Sequence, residues 1–297
     1  MVLLYIPPVQ NLLRREVTAY ASKATGMQIQ VERIDLRFPL NLLVRGVEVI
    51  QQPDTLLSLE SLNVRVQAWP LLKGKVEVDE VTLSQVAVNS ANLIEGMQIK
   101  GVLGRFFLQS HGVDLSNETA VVNRTELSDT HIQLLMTDTT TTPKDTTASA
   151  PVNWKVNLHQ LKLKNVSFGM KLPADSMKMA AYIGEATIDD AKADLKNQFY
   201  GLKQFLLSGA SASYDTGEVQ PSEGFDASHM AVRNIRIGLD SLLYEGRNMN
   251  AVIREITMEE RSGLSITSLT GRLFSNDSII RIPELKLQTP HSEIDLS

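Results

Sequence analysis

The chain has 297 residues, of which 43% are apolar but only 5% are aromatic, and its formal net charge is -5. This length is enough to bury a hydrophobic core, whereas a negative net charge without any block of Lys and Arg disfavours nucleic acid as a partner. The sequence contains no cysteine, which excludes disulfides and thiolate metal sites.

The sequence of residues 1–26 indicates the end of a membrane anchor followed by an amphipathic helix. The apolar run from Val2 to Ile6 is far shorter than the roughly 20 residues that span a bilayer. It is therefore either the last part of a membrane helix that begins upstream or an ordinary N-terminal strand or tail. Pro7 and Pro8 favour a helix start, apolar residues then recur at helical spacing, and Gly26 ends the pattern.

An eight-residue pattern, apolar-x-apolar-x-x-apolar-x-apolar, recurs along the rest of the chain. This octet is present at 29–36, 57–64, 76–83, 156–163, 230–237, 251–258 and 280–287, and an alanine-rich version is present at 186–193. A spacing of two is the period of a β-strand. The central gap of three would turn the second half to the other face, unless the polar pair in the middle forms a bulge that absorbs one residue. We therefore expect bulged strands in a bent sheet with one continuous apolar face.

The same alternation predicts two β segments joined by a linker. Strands are expected within 27–136 and within 153–297, and the stretch 195–206, which also has helical spacing, is interpreted as strand because its neighbours have the strand pattern. Residues 137–151 contain no aliphatic or aromatic residue larger than alanine. A disordered Thr-rich linker is therefore expected over 137–152.

No arrangement of residues in the sequence indicates catalysis. The five histidines, at positions 111, 131, 159, 229 and 291, never lie within five residues of one another, so the common spacings of zinc ligands are missing, and we expect these side chains to face solvent from strands. The G-x-S-x-G motif of serine hydrolases does not occur. We expect a protein without enzymatic activity and without a metal or cofactor.

One polar pattern suggests modification. Five triplets of Asp, then Ser or Thr, then a non-aromatic apolar residue or Thr, resemble the O-glycosylation acceptor motif of exported bacterial proteins. The acceptor residues would be Thr139, Thr146, Ser176, Ser241 and Ser278. Roughly one such triplet is expected by chance, and the Thr-rich linker raises the count, so the modification is a hypothesis.

A likeness to a known family is strongest over residues 1–108. The N-terminal region of the AsmA-like superfamily, and within it of the translocation and assembly module group, resembles three stretches of this chain: YIPPVQNLL, ATGMQIQVERIDLRFPLNLLVRGVEV and SLNVRVQAWPLLKGKVEVDEVTL. The resemblance implies a single-pass inner-membrane protein of a Gram-negative cell, whose periplasmic part is a long curved antiparallel, meandering sheet forming a U-shaped groove with an apolar interior.

The resemblance also implies a function in outer-membrane biogenesis. Phospholipid acyl chains would pass along the groove between the inner and outer membranes, and an Omp85-type outer-membrane barrel would be a partner. Most of the membrane helix and the C-terminal domain of that group have no counterpart here, so we interpret the chain as a fragment.

Candidate lining residues of the groove come from two octet-bearing strands. They are Val76, Val78, Val81, Leu83, Val86, Val88, Leu158, Leu161, Leu163, Val166 and Phe168. An acyl chain needs only a dry aliphatic surface, which stabilises it by about 0.8 kcal/mol per buried methylene. Three alternatives stay open: a sealed sandwich core, a scaffold that assembles outer-membrane proteins and autotransporters by strand pairing, and a structural β-solenoid or adhesin.

Overall fold

The fold is known from a computed structural model, which describes residues 7–67, 77–91, 93–94, 96–114, 117–136, 153–217 and 221–296. The apolar run at 2–6 and the linker predicted at 137–152 lie outside these residues. Helix α1 covers Pro7–Thr25 and ends before Gly26, which has a left-handed φ of 70°. This is the helix that the sequence predicts, with the C-terminal glycine that such helices favour.

Seventeen strands form one sheet, which confirms the prediction of a mainly β fold with a short N-terminal helix. The strands are β1 Gln28–Arg37, β2 Asn41–Gln51, β3 Asp54–Val66, β4 Val78–Asn89, β5 Met97–Asp114, β6 Thr119–Met136, β7 Lys155–Leu172, β8 Met177–Asp194, β9 Phe199–Leu202, β10 Gln204–Asp215, β11 His229–Glu245, β12 Asn248–Glu260, β13 Ser265–Ile266, β14 Ser268–Ser275, β15 Ile280–Arg281, β16 Leu285–Gln288 and β17 Glu293–Leu296. A 3-10 turn at Pro173–Asp175 lies between β7 and β8.

Neighbouring strands in the sheet follow chain order. β1 to β6 form an antiparallel meander, and β7 pairs with β8 in the same way. β8 then pairs with β9 and β10, which continue one another and both pair with β11. The sheet ends through β12, β14, β16 and β17. Strands β9 and β10 confirm the interpretation of 195–206 as strand from Phe199 onwards, apart from Lys203.

The pairing of β6 with β7 is parallel, which differs from the antiparallel meander expected from the sequence. A parallel pair requires the chain to return along the whole strand. β6 has 18 residues and is therefore roughly 60 Å long, and a connection over 137–154 is able to span roughly 60 Å. The two segments predicted on either side of the linker consequently belong to one sheet.

The edge strand β1 is covered by α1. Three side chains of the helix bond to its backbone, with the donor and acceptor pairs Gln10 Nε2 to Leu36 O at 3.0 Å, Arg14 Nη1 to Glu32 O at 2.7 Å and Ile29 N to Ser22 Oγ at 3.1 Å. An edge strand presents unpaired backbone groups that invite another strand. The side chains of α1 occupy some of these backbone groups, so fewer of them are free to pair with another strand.

Few side chains of the sheet are buried as they would be in a core between two packed layers. Among the described residues no large side chain is fully buried, and the buried apolar residues are Ile34, Leu56, Ala120, Ala186, Ala210 and Ala251. The accessible surface is 19095 Å², whereas a compact monomer of 32.9 kDa exposes roughly 12,500 Å². This packing does not support the alternative of a sealed sandwich core.

Candidate functional site

The octets align across neighbouring strands, so their apolar residues form rows that cross the sheet. Over β1 to β5 the four rows are Leu36, Leu42, Val64, Val81 and Leu108; Ile34, Val44, Leu62, Leu83 and Phe106; Val31, Val47, Leu59, Val86 and Leu103; and Ile29, Val49, Leu57, Val88 and Gly101. The rows continue on β6 as Thr125, Leu127, Thr130 and Ile132, on β7 as Leu161, Leu163, Val166 and Phe168, and on β8 as Ile188, Ala186, Ile183 and Ala181. We call this surface the aliphatic wall.

The wall contains four octets that the sequence analysis missed, at 42–49, 81–88, 161–168 and 181–188. They supply the wall residues of β2, β4, β7 and β8. Applying the octet template at every position of the chain would have found them.

A line of unusual backbone conformations keeps the wall on one face. We call this line the seam; on β1 to β7 it consists of Glu32, Gly46, Glu60, Gln85, Gly104, Asp129 and Asn165. The φ values of Gly46, Gln85, Asp129 and Asn165 are 58°, 50°, 52° and 53°, in the left-handed region that few side chains adopt. The two-residue alternation of side chains in each octet is interrupted at the seam, or at a second such line through His159 and Asp190, where the φ of Asp190 is 50°.

The prediction that each polar pair forms a one-residue bulge is therefore wrong for four of the eight octets that the sequence analysis found. At 29–36, 57–64, 156–163 and 186–193 the register between the paired strands runs across the polar pair without a shift. The alternation of both paired strands is interrupted together there, so no extra residue is needed. The prediction is right for the octets 76–83, 230–237 and 251–258, where the register shifts at Asp79, between Arg233 and Arg236, and at Arg254, as a bulge requires. The octet 280–287 is divided between β15 and β16.

The seam brings backbone and side chains of adjacent strands unusually close. A Cβ atom added to Gly46 would lie 2.7 Å from Cβ of Glu32, and one added to Gly104 would lie 2.7 Å from Cβ of Asp129. The side chain of Asn165 donates to Oδ1 of Asp129 at 2.7 Å. At Gly46 and Gly104 only glycine therefore fits without a shift of the neighbouring strand.

No second layer formed by the described residues covers the wall, which is open to solvent in this part of the chain. Most of its residues are half-buried, the central Ile34 and Ala186 are buried, and its outer row is the most exposed, with 37% for Val88, 40% for Ile132 and 39% for Phe168. An aliphatic surface in this state is accessible to an apolar ligand without unfolding.

The structure places the candidate lining residues on this one face but on two separated strands. Val78, Val81, Leu83, Val86 and Val88 lie on β4, and Leu158, Leu161, Leu163, Val166 and Phe168 lie on β7. Strands β5 and β6 lie between them and contribute wall residues of their own. Val76 lies outside the described residues.

A large cavity is lined mainly by residues of the face opposite the wall. It has a volume of about 1200 Å³ and is lined by strands from β5 to β13, where Lys100, Gln133, Gly169, Ala180 and Ser213 form one row. This row is offset by one residue from the wall row that contains Ile132 and Phe168. The side chains of this row are polar or small, and we call the concavity the polar cavity after its lysine, glutamine and serine residues, although Leu134, Phe168, Met170 and Met179 also line it. The apolar interior of a groove stays a prediction.

Another cavity, of about 610 Å³, involves residues of β6, β7, β8, β9 and β11. Leu158 contributes to this smaller cavity and Phe168 to the larger one; the other described candidate lining residues contribute to neither. Sequence reasoning missed the polar cavity, although the two lysines that flank the turn in KLPADSMK were a signal for it.

Ionisable side chains pair locally instead of converging on one centre. Asp190 contacts Lys203 at 2.7 Å and His159 at 3.1 Å, and the hydrogen bond from Lys203 lowers the pKa of its carboxyl below the usual range. Among the described residues, no three side chains of His, Asp or Glu are grouped to hold a metal ion.

Asp226 organises the loop before β11. Its carboxylate accepts hydrogen bonds from the backbone N–H groups of Ser222 and Ser228, both at 3.0 Å, and its Oδ2 lies 3.0 Å from Nδ1 of His229. These bonds, led by that from Ser222, hold the pKa of the carboxyl far below its usual range. His229 is buried, so the expectation that every histidine faces solvent is wrong for this residue.

The candidate glycosylation residues lie in different surroundings. Ser278 is exposed between β14 and β15, Ser176 ends the 3-10 turn in a left-handed conformation, and Ser241 is half-buried inside β11. Thr139 and Thr146 lie outside the described residues. The modification stays a hypothesis, which the intact mass of protein purified from its own host would test.

No helix in the described ranges is both long and apolar enough to cross a bilayer. No known protein-family model and no curated protein matches the chain.

Proposed function

We propose that this chain is the β-sheet part of an inner-membrane-anchored periplasmic protein that moves phospholipid between the inner and outer membranes. The observation that carries the proposal is the aliphatic wall, which crosses consecutive strands in register and is not covered by a second layer formed by the described residues. The likeness of residues 1–108 to the AsmA-like superfamily, and most of all to its translocation and assembly module protein TamB, points to the same function.

The wall has the chemistry that an acyl chain requires. Neighbouring strands are about 4.8 Å apart, so an extended acyl chain of roughly 20 Å crosses about four strands of the wall. If one side of a 16-carbon chain is removed from water, the gain is roughly half of about 0.8 kcal/mol per methylene, or roughly 6 kcal/mol in total. The same octet on successive strands makes this gain nearly uniform, which allows movement along the wall.

A U-shaped trough around the wall is part of this proposal. Sheets with many strands twist, and a twisted sheet is saddle-shaped, so each of its faces is concave along one direction. The polar cavity and an apolar trough are therefore compatible in one sheet. Contact with the outer membrane through an Omp85-type barrel belongs to the same proposal.

The cover on the β1 edge disfavours strand pairing at that edge of the sheet. A strand that added to β1 would have to displace the hydrogen bonds from Gln10 and Arg14 of α1. A scaffold that works by strand addition leaves its receiving edge free. The wall, by contrast, is accessible as it stands.

Paired substitutions on the two faces test the proposal. Val81→Asp and Leu161→Asp place a carboxylate on the wall, whereas Thr82→Asp and Thr187→Asp place one on the opposite face of β4 and β8. The wall variants are expected to lose extraction and transfer of fluorescent phospholipid between vesicles by tenfold or more, while the control variants retain them. Circular dichroism establishes that all four are folded. Equal transfer by folded wall and control variants would refute the proposal.

A further inference from the structure

We propose that the polar cavity is a second binding site, and that it takes a phosphate ester with a hydroxyl-rich body, such as a polyol or sugar phosphate, either free or as a lipid headgroup. Most of its lining residues lie on the face opposite the aliphatic wall, although Phe168 and Ala181 of the wall also contribute. The lysines and hydroxyl groups argued below are on the opposite face, so the site does not depend on acyl-chain transport.

Small residues at the floor of the cavity create its volume. Gly169 lies in one row with Ala180, Ser213 and Ala231, and a Cβ added to Gly169 would meet nothing closer than Cγ of Gln133 at 3.9 Å. Residues of strands between β5 and β13 line the space around these small residues. The resulting space of about 1200 Å³ exceeds the roughly 300–1000 Å³ typical of ligand pockets, so it accommodates a ligand much larger than a phosphate ion.

An uncompensated pair of lysines marks where the phosphate would bind. Lys171 and Lys178 are direct cross-strand partners on β7 and β8, and both line the cavity. Like charges at such positions repel each other and destabilise the sheet. Among the described residues neither ammonium group has a carboxylate within 4.0 Å, although Asp215 is the cross-strand partner of Lys178 on β10. A bound dianion between the two lysines would remove the repulsion.

The other charges of the cavity leave its surface positive. Arg233 and Glu259 form an ion pair at 3.0 Å and neutralise each other. The buried carboxylate of Glu260 accepts backbone hydrogen bonds, from Ser262 at 2.6 Å and from Ala231 at 3.3 Å. Lys100 and Arg261 add further cations without an ion-pair partner among the described residues, and Asp215 adds one carboxylate, so five cationic and three acidic side chains line the cavity. A chain with a net charge of -5 thus concentrates unpaired cations in one concavity, which attracts anions.

Hydroxyl groups on the other side of the floor from the lysines suit the body of the ligand. Ser167, Tyr182 and Ser211 form the next row across the cavity, and Nδ1 of His131 lies 2.6 Å from Oγ of Ser167. These groups donate and accept hydrogen bonds, as polyol and sugar hydroxyls require. Lysines then supply charge-assisted hydrogen bonds to the phosphate.

Titration calorimetry with the full chain tests the site. The probes are glycerol 3-phosphate, glucose 6-phosphate, and vesicles of phosphatidylcholine with and without phosphatidylglycerol. Saturable binding of a soluble ester identifies a free phosphate ester as ligand, whereas binding only to vesicles with phosphatidylglycerol identifies a headgroup. Binding to none of the probes would overturn the proposal.

Variants locate the binding in the cavity. The double variant Lys171→Gln/Lys178→Gln is expected to weaken binding tenfold or more, and Gly169→Leu is expected to abolish it by filling the floor. The control Lys162→Gln/Lys164→Gln removes the same charge from β7 outside the cavity and should change affinity less than twofold. A control loss as large as that of the cavity variant overturns the proposal, and this comparison holds even if Gly169→Leu fails to fold. Val81→Asp should leave phosphate binding intact, which separates this site from lipid transport.

Discussion

Replacing Gly46 with alanine would create a conformational and a steric conflict at the seam. Its φ of 58° costs a residue with a Cβ about 1–2 kcal/mol. The new Cβ would also lie 2.7 Å from Cβ and 2.6 Å from Oε2 of Glu32, far inside the contact distance of about 3.5–4.0 Å, and overpacking of this kind costs about 1–3 kcal/mol. We expect Gly46→Ala to lower the free energy of unfolding by about 2–5 kcal/mol.

Two other glycines separate the two contributions. Gly246, in the turn between β11 and β12, has a φ of 61° but no heavy atom within 4 Å of an added Cβ, so Gly246→Ala should cost only the conformational term of about 1–2 kcal/mol. Gly104 is not in the left-handed region, but an added Cβ would lie 2.7 Å from Cβ of Asp129 and 2.8 Å from its carbonyl oxygen. Gly104→Ala should therefore cost only the steric term.

Urea unfolding followed by circular dichroism measures all three variants. The cost of Gly46→Ala should approach the sum of the other two. If Gly46→Ala is no more destabilising than Gly246→Ala, the close approach of β1 and β2 at the seam is wrong.

Two further predictions concern the loop before β11 and the β1 edge. Asp226→Asn should lower the Tm at pH 7, because the native loop lowers the pKa of this carboxyl and so stabilises the folded state through its charged form. This stabilisation is fully present above the pKa of the carboxyl in the unfolded state. It is lost as the pH falls through the pKa in the folded state. The Tm difference should therefore narrow below about pH 4, and a constant difference in thermal scans would contradict the assignment. Gln10→Ala/Arg14→Ala should increase self-association through the uncovered edge in light scattering, relative to Arg15→Ala/Lys23→Ala, and equal association would count against the role of α1.

The strands and the wall were predictable because their signal is local. An octet such as 57–64 carries its period within eight residues, and the period decides which side chains share a face. Pro7 and Pro8 likewise mark the start of α1, and Gly26 marks its end, without reference to the rest of the chain. These features depend on the backbone preferences of a few neighbouring residues.

The seam and the polar cavity depend on residues that are distant in the sequence. Gln85 and Asp129 do not favour a left-handed φ strongly enough to be singled out, and their conformation is imposed where the alternation of two adjacent strands is interrupted together. The parallel pair of β6 and β7 is equally non-local. Lys171 and Lys178 flank a visible turn, but their position beside Ser213 and Glu259 requires the register of several strands. The sequence pattern therefore could not predict the polar cavity.

Photocrosslinking from adjacent positions of β5 tests the central claim that acyl chains move along the aliphatic wall. Phe106 lies on the wall opposite Leu83, and its neighbour Phe107 lies on the other face opposite Thr82; both are half-buried. Each is replaced by p-benzoylphenylalanine, and the protein is irradiated with radiolabelled phospholipid. We predict a phospholipid adduct at position 106 and little at position 107. Equal labelling at the two positions, or labelling at 107 alone, would contradict the account.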